Sequence, residues 1–241
     1  MNYTLELVSF TLHSCKIASD HAVQRIELCD NDAAGGTTPS AGFIQEARKI
    51  YAGELCPIIR PRGGDFVYSY DEFQSMLYDI SICKDAGCDA IVAGILLPDG
   101  SIDTIRTKTL IQYAYPMDFC FHRAFDRVKD PLKSMEQLID LGVQRILSSG
   151  LQPTAALGAP LLRELIEKAD GRIDIMPGSG IRKSNILEIA KASGATQLHS
   201  SAKALPSTQM NNVNEAMDEN LTYPAIDEVE LAGMLDLLKS L

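Results

Sequence analysis

Ser134-Met-Glu-Gln-Leu-Ile-Asp-Leu-Gly-Val-Gln-Arg-Ile-Leu-Ser-Ser149 carries the rule that builds the whole chain. An amphipathic helical run over 134–140 is stopped by Gly142, the residue type that closes helices in a left-handed conformation. A short β-rich run, 145–149, follows at once. The same unit recurs down the sequence. Residues 71–85 lead through Gly87 to 89–95, residues 161–170 through Gly171 to 172–177, and residues 184–192 through Gly194 to 196–199. Even the approach to the strand repeats, as Val23-Gln-Arg-Ile26 and Val143-Gln-Arg-Ile146.

Adding 3–9, 25–29, 56–60 and 118–123 gives eight strand-like runs, each followed by enough chain for a crossover helix. Eight βα units in 241 residues predict an α/β fold, a single-domain (β/α)8 barrel of the TIM type over residues 1–241. One stretch breaks the rhythm: a long, polar, Asn-rich segment at 200–223, before a final helix at about 227–239. It follows strand eight on the active face and is either functional there, as a lid or an oligomer arm, or disordered.

Composition narrows the partners. Lys and Arg number 22 against 32 Asp and Glu, a net charge of −10. That argues against nucleic acid and against a membrane surface. The N-terminus has no basic, apolar export pattern, and no apolar run approaches the length of a membrane span. The six cysteines are scattered without a Cys-x-x-Cys, as expected for reduced thiols in the cytoplasm.

In such a barrel, chemistry sits at the C-terminal ends of the strands. Strand one offers Glu6, and strand two offers Glu27 with Cys29. Strand three ends in Cys56-Pro-Ile-Ile-Arg-Pro-Arg-Gly-Gly-Asp-Phe66, which sets Arg60 and Arg62 on a stiff proline-glycine platform. Strand five gives Cys120, His122 and Arg123; strand six gives Ser149; strand seven gives Gly178-Ser179-Gly180; strand eight gives His199. Glu6, Glu27, His122 and His199 are the candidate catalytic groups. Arg60, Arg62, Arg123, Ser149, Gly178, Ser179 and Gly180 are the candidate binders of an anionic small molecule. Singly, each has an ordinary structural alternative, such as Glu27 pairing with Arg25 or Arg60. Together they point to proton transfer, or to a divalent metal held by the acids and imidazoles. No lysine ends a strand, which disfavours a Schiff base. Alternation places Glu27 with Cys29, and Cys120 with His122, on shared strand faces. These thiols either fill the inner barrel or hold a soft ion such as Cu(I), and packing is favoured.

Several segments together resemble the CutC family, named for copper homeostasis. They are Arg25-Ile-Glu-Leu-Cys29, Gly35-Gly-Thr-Thr-Pro-Ser40, Ile59-Arg-Pro-Arg-Gly-Gly-Asp-Phe-Val-Tyr-Ser69, Phe121-His-Arg-Ala-Phe-Asp126, Arg145-Ile-Leu-Ser-Ser-Gly150 and Met176-Pro-Gly-Ser-Gly-Ile181. The resemblance implies a cytoplasmic, oligomeric TIM-type barrel with a role in copper homeostasis. It also implies Cu(I) binding, with Cys29 among the ligands; Cys120, placed by alternation on the His122 face of strand five, is the second candidate thiol. The first strand lacks the family's cysteine and reads Glu6-Leu-Val-Ser9. Three readings stand at this point. The first is a copper-homeostasis protein. The second is an enzyme of isomerase or lyase type acting on a phosphorylated or carboxylated small molecule. The third is a ligand-binding barrel without catalysis.

Overall fold

The computed structural model describes residues 3–204 and 208–240. Strands and helices alternate as β1 (Thr4–Ser9), α1 (Leu12–Asp20), β2 (Arg25–Leu28), α2 (Ala41–Ile50), β3 (Glu54–Pro57) and α3 (Tyr70–Asp85). They continue as β4 (Ala90–Ala93), α4 (Thr104–Ala114), β5 (Asp118–Phe121), α5 (Pro131–Asp140), β6 (Arg145–Ser148) and α6 (Ala155–Ala169). The series ends with β7 (Asp174–Pro177), α7 (Ile186–Ser193), β8 (Gln197–Ser200) and α8 (Glu228–Lys239). Two four-stranded parallel sheets, ordered β3-β2-β1-β8 and β4-β5-β6-β7, make up the barrel wall. Ile58 bridges Val92, and the Ile59 N–H donates to the Val92 carbonyl at 2.7 Å, joining β3 to β4. Across the remaining seam β7 lies against β8.

Period-two alternation divides the apolar residues into two bodies. Leu5, Leu7, Ile26, Leu28, Phe119, Ile146, Ile175 and Leu198 face outward into the sheath under the helices. Cys29, Cys56, Ile58, Val92, Cys120, Leu147 and Met176 pack together inside the barrel. Glu6 and Glu27 alternate with the outward leucines and isoleucines, so both carboxylates are turned into the barrel. Register then sets the neighbours: Glu6 stands level with Arg25 on β2 and with His199 on β8.

Helix starts follow capping chemistry. Thr11 with Ser14 and Ser69 with Glu72 form reciprocal capping boxes on α1 and α3, and Asp130 caps α5 ahead of Pro131. Two elements depart most from the sequence expectation. The β3 ladder begins at Glu54, before the expected 56–60. The Ile58 N–H still donates to the Leu28 carbonyl of β2 at 3.0 Å, and the Ile59 N–H then turns to β4. Helix α6 begins at Ala155, not near 161, and runs through Pro160. Its first turns are pressed onto the end of β6, where a Cβ on Gly158 would lie 1.8 Å from the Ser149 carbonyl oxygen.

In the expected 200–223 segment Ser200 closes β8 and Ala202 is buried, while residues 208–214 and 216–220 are exposed and carry one 3-10 turn at Glu215–Met217. Residues 205–207 of it lie outside the described residues. Its two ends are tied together by the Lys203–Ile226 bridge and by the Ala204 N–H, which donates to the Ala225 carbonyl.

Candidate active site

Glu6, Glu27 and His199 meet inside the barrel. Glu6, only 1 % exposed, holds two partners. Arg25 Nε donates to its Oε2 at 2.6 Å, and His199 Nδ1 donates to its Oε1 at 2.8 Å. His199 turns Nε2 toward Glu27 Oε2, 3.6 Å away. Burial pushes Glu6 up, but the His199 hydrogen bond and the Arg25 charge outweigh it and hold the carboxyl at about 2. Glu27 has no cation of its own. Burial raises it to about 7, with His199 pulling down and the Glu6 charge adding to the rise. Burial alone would lower His199, but the Glu6 hydrogen bond and the Glu27 charge reverse that and raise it. Glu6 is therefore ionised at neutral pH, while the Glu27 carboxyl is held where it can take up or release a proton. Arg25, offered by the sequence as a partner for Glu27, belongs to Glu6.

This chain of groups opens on a cavity of about 300 Å³, at the small end for ligand sites. Glu27, Cys29, Arg60, His122, Arg123, Ser179, Gly180 and His199 line it. Of the other expected site residues, Glu6 sits behind His199, and Cys120 lies in the apolar interior. Ser149, Gly178 and Arg62 also stay off the cavity wall.

The two arginines of the third strand end part company. Arg60 is buried and spends its fork on backbone: Nη1 donates to the Ala34 and Gly36 carbonyls, and Nη2 to the Gly64 carbonyl. Its guanidinium also lies over the Phe66 ring, 4.9 Å from the centroid. No carboxylate among the described residues pairs with it, so its positive charge stays uncompensated at the cavity wall. Arg62 turns outward instead. It donates to Glu72 at 2.5 Å and to Asp65 at 3.0 Å. As an anion clamp beside Arg60 it is misplaced. The turn at Pro61-Arg62-Gly63-Gly64 takes the chain out of the strand before a second inward position is reached.

His122 ends β5 and caps the 3-10 turn Arg123–Arg127. Its Nδ1 accepts from the Ala124 N–H at 3.2 Å, while Nε2 has no partner among the described residues. Burial, with the Arg60 charge adding to it, holds the imidazole down to about 3, so the ring is neutral. Asp126, three residues along the same turn, was not among the expected site residues, yet it organises this side of the mouth. It accepts from Ser148 Oγ at 2.6 Å, from the Ser149 N–H at 2.9 Å and from Arg123 Nε at 2.7 Å. Arg123 Nη2 donates to Ser149 Oγ at 3.0 Å. The only signal in the sequence was an acid closing the Phe121–Asp126 motif.

Across the cavity, Ser179 and Gly180 both have positive φ, 83° and 72°. A serine there is strained by about 1–3 kcal/mol, the kind of cost found where a backbone is shaped for a ligand. The N–H groups of Ser179, Gly180 and Ile181 donate to no acceptor among the described residues, and Arg182 stands beside them in the wall. Gly178 supports this turn from behind. A Cβ there would lie 2.6 Å from Leu147 Cδ1.

Neither expected metal fits well. Glu6, Glu27 and His199 are, among the described residues, the one group of potential ligand atoms lying within 4.8 Å of one another. Both Glu6 oxygens are already engaged by Arg25 and His199, which leaves a divalent ion Glu27 and one imidazole nitrogen. Copper(I) needs soft thiolate or thioether donors brought together. Cys29 and Cys120 pack in one apolar body with Cys56 and Met176, but neither belongs to a group of three or more His, Cys, Asp or Glu ligand atoms among the described residues. Burial, with Glu27 and Glu6 adding to it, holds the Cys29 thiol well above its usual range, and burial pushes Cys120 to about 12.

The family model described as the CutC family matches residues 3–204. A CutC family protein of Chromobacterium violaceum is 45 % identical over 210 residues, covering 87 % of this chain and 85 % of the relative. One from Parabacteroides distasonis is 44 % identical over 216 residues, covering 89 % of each. The crystal structure of a Streptococcus agalactiae CutC protein, named for copper homeostasis, superposes with a TM-score of 0.79 at 35 % identity. It covers 83 % of this chain and 98 % of that one. Thiamine phosphate pyrophosphorylase from Pyrococcus furiosus shares the fold alone, with a TM-score of 0.62 at 13 % identity over 99 % of this chain and 96 % of that one.

Proposed function

The chain belongs to the CutC family, and on that premise we propose that it is an acid–base enzyme acting on a small anionic molecule. One observation carries the reading: the line Glu6–His199–Glu27, closed at one end by Arg25 and open at the other to the cavity. Glu6 keeps the proton of His199 on Nδ1. This leaves His199 Nε2 to exchange a proton with Glu27, and Glu27 to exchange it with the substrate. Positioned transfer of this kind contributes roughly 10²- to 10⁴-fold in rate. The uncompensated Arg60 charge, Arg123 and the unused N–H groups at 179–181 supply the attraction for a carboxylate or phosphate.

The competing reading is copper homeostasis through Cu(I) binding. It draws on the name of the Streptococcus relative and on Cys29, which lines the cavity. The thiols argue against it, being buried in the apolar interior and held protonated. All six cysteines are free, which suits work in the cytoplasm. No helix among the described residues is long and apolar enough to cross a membrane.

The deciding experiment runs wild type and Glu27→Gln side by side in D₂O with a panel of carboxylated and phosphorylated metabolites, reading deuterium uptake by mass spectrometry. Turnover or exchange by wild type, lost at least 100-fold in the variant, is expected. Equal behaviour of the two proteins on every compound overturns the acid–base reading. A chelator-competed Cu(I) titration whose affinity collapses in Cys29→Ala would favour copper instead.

A further inference from the structure

The proton relay accounts for one side of the cavity and leaves His122, on the other side, unexplained. Its imidazole is 4 % exposed. The edge carrying Nδ1 and Cε1 is held in place: Nδ1 accepts from the Ala124 N–H, and Gly94 lies so close that a Cβ there would stand 2.7 Å from Nδ1 and 2.8 Å from Cε1. The Phe66 ring packs on it at 5.0 Å between centroids, and Phe121 at 6.1 Å. A nitrogen that accepts a hydrogen bond carries no proton, so in this neutral ring the proton is on Nε2. That donor is buried, has no acceptor among the described residues and belongs to a side chain that lines the cavity. Leaving it unpaired costs about 1–3 kcal/mol, and a buried donor without a partner calls for a physical reason.

We propose that His122 is a catalytic residue whose Nε2–H donates to a carbonyl oxygen of the substrate, so that the substrate class is a small carboxylated or phosphorylated carbonyl compound. The inference rests on the acid–base role given to Glu27. Glu27, as carboxylate, takes a proton from the carbon next to the carbonyl. The electron pair of that C–H bond becomes the C=C bond, and the π pair of the C=O moves onto oxygen. The resulting enolate oxygen is held by His122 Nε2–H beside the Arg60 charge, and the proton rests on Glu27 until it is returned to carbon. A neutral imidazole suits this task because it donates strongly without surrendering its proton. Gly94 is then a positioning residue, the space that lets the ring sit where it does.

The first measurement needs no substrate. Long-range ¹H–¹⁵N spectra of the labelled protein are expected to show His122 as the Nε2–H tautomer; an Nδ1–H tautomer overturns the proposal whatever Glu27 does. The second measures deuterium exchange in D₂O on pyruvate, 2-oxoglutarate and dihydroxyacetone phosphate, against lactate, 2-hydroxyglutarate and glycerol 3-phosphate. Exchange confined to the carbonyl set is expected, falling about 10²- to 10³-fold in kcat with little change in KM in His122→Phe. Gly94→Ala, which keeps the imidazole and its cap but displaces it, is expected to fall in the same direction. Exchange that depends on Glu27 but is equally fast in His122→Phe overturns this proposal and leaves the acid–base reading standing. Exchange by wild type that Glu27→Gln does not slow overturns the acid–base reading, and this proposal falls with it.

Discussion

At the floor of the barrel Arg25 lies against Glu6, Glu54 and Gln197, and Arg145 against Glu54 and Asp118. At the mouth Arg60 meets carbonyl oxygens and the Phe66 ring but no carboxylate among the described residues, His122 Nε2 has no partner among them, and Glu27 faces a histidine beyond hydrogen-bond reach. Both ends bury charge, at a cost an apolar filling would avoid. The floor meets most of that cost with partners across neighbouring strands, although Arg145 Nε has no hydrogen-bond partner among the described residues. The mouth leaves valences open, and open valences in a buried wall are what a ligand completes.

The sharpest way to break this contrast is Arg25→Ala. It strands the Glu6 carboxylate in the interior and is expected to cost about 3–5 kcal/mol at pH 7 by urea unfolding. The loss should shrink in acid, where the abandoned Glu6 takes up a proton. A loss below about 1 kcal/mol would mean that the floor is not closed on itself. Asp126→Ala comes next, at about 2–3 kcal/mol. It removes the acceptor for the Ser148 hydroxyl and the Ser149 N–H, and frees Arg123. Because Asp126 is buried and both its oxygens are engaged, it should behave like the floor.

How far the sequence revealed these two regions follows from what each depends on. Strand alternation was enough to put Glu27 with Cys29, and Cys120 with His122, on shared faces, and the glycine-stopped helices were enough for the βα repeat. Pairing was hidden, because whether Arg25 meets Glu6 or Glu27 depends on the stagger between β1 and β2, which no single strand carries. Asp126 was hidden for another reason: it acts from an irregular turn, where neither the helical period nor the strand period applies. His122 was visible as a residue. Its tautomer, and so its role, depends on the Ala124 N–H and the Gly94 gap.

Glu27→Gln tests the mouth from the opposite direction. Glu27 is faced by His199, Glu6 and Cys29. With its carboxyl raised to about 7 in the folded protein, the native state binds an extra proton between the ordinary carboxylate range and pH 7. Stability is therefore lost as pH rises through that window and stays lost above it. The glutamine variant does not titrate, so its Tm is expected to exceed wild type by a few degrees at pH 8, with the gap closing near pH 4. That would be a gain in stability from removing a group the proposed activity needs. A variant less stable than wild type at pH 8 would place Glu27 with the floor.

The smallest effect separates the two arginines that the sequence presented as a pair. Arg62 is exposed beside Glu72 and Asp65, where screening by water leaves ion pairs little to contribute. Arg62→Ala should shift Tm by about 2 °C or less, and should leave the stabilisation of the protein by inorganic phosphate or pyruvate unchanged. Arg60→Ala should abolish that stabilisation and also loosen the loops whose carbonyls it ties, at Ala34, Gly36 and Gly64. If Arg62→Ala instead weakens the anion response, the attracting field extends beyond the cavity wall, and the mouth begins at the rim of α3 rather than at Phe66.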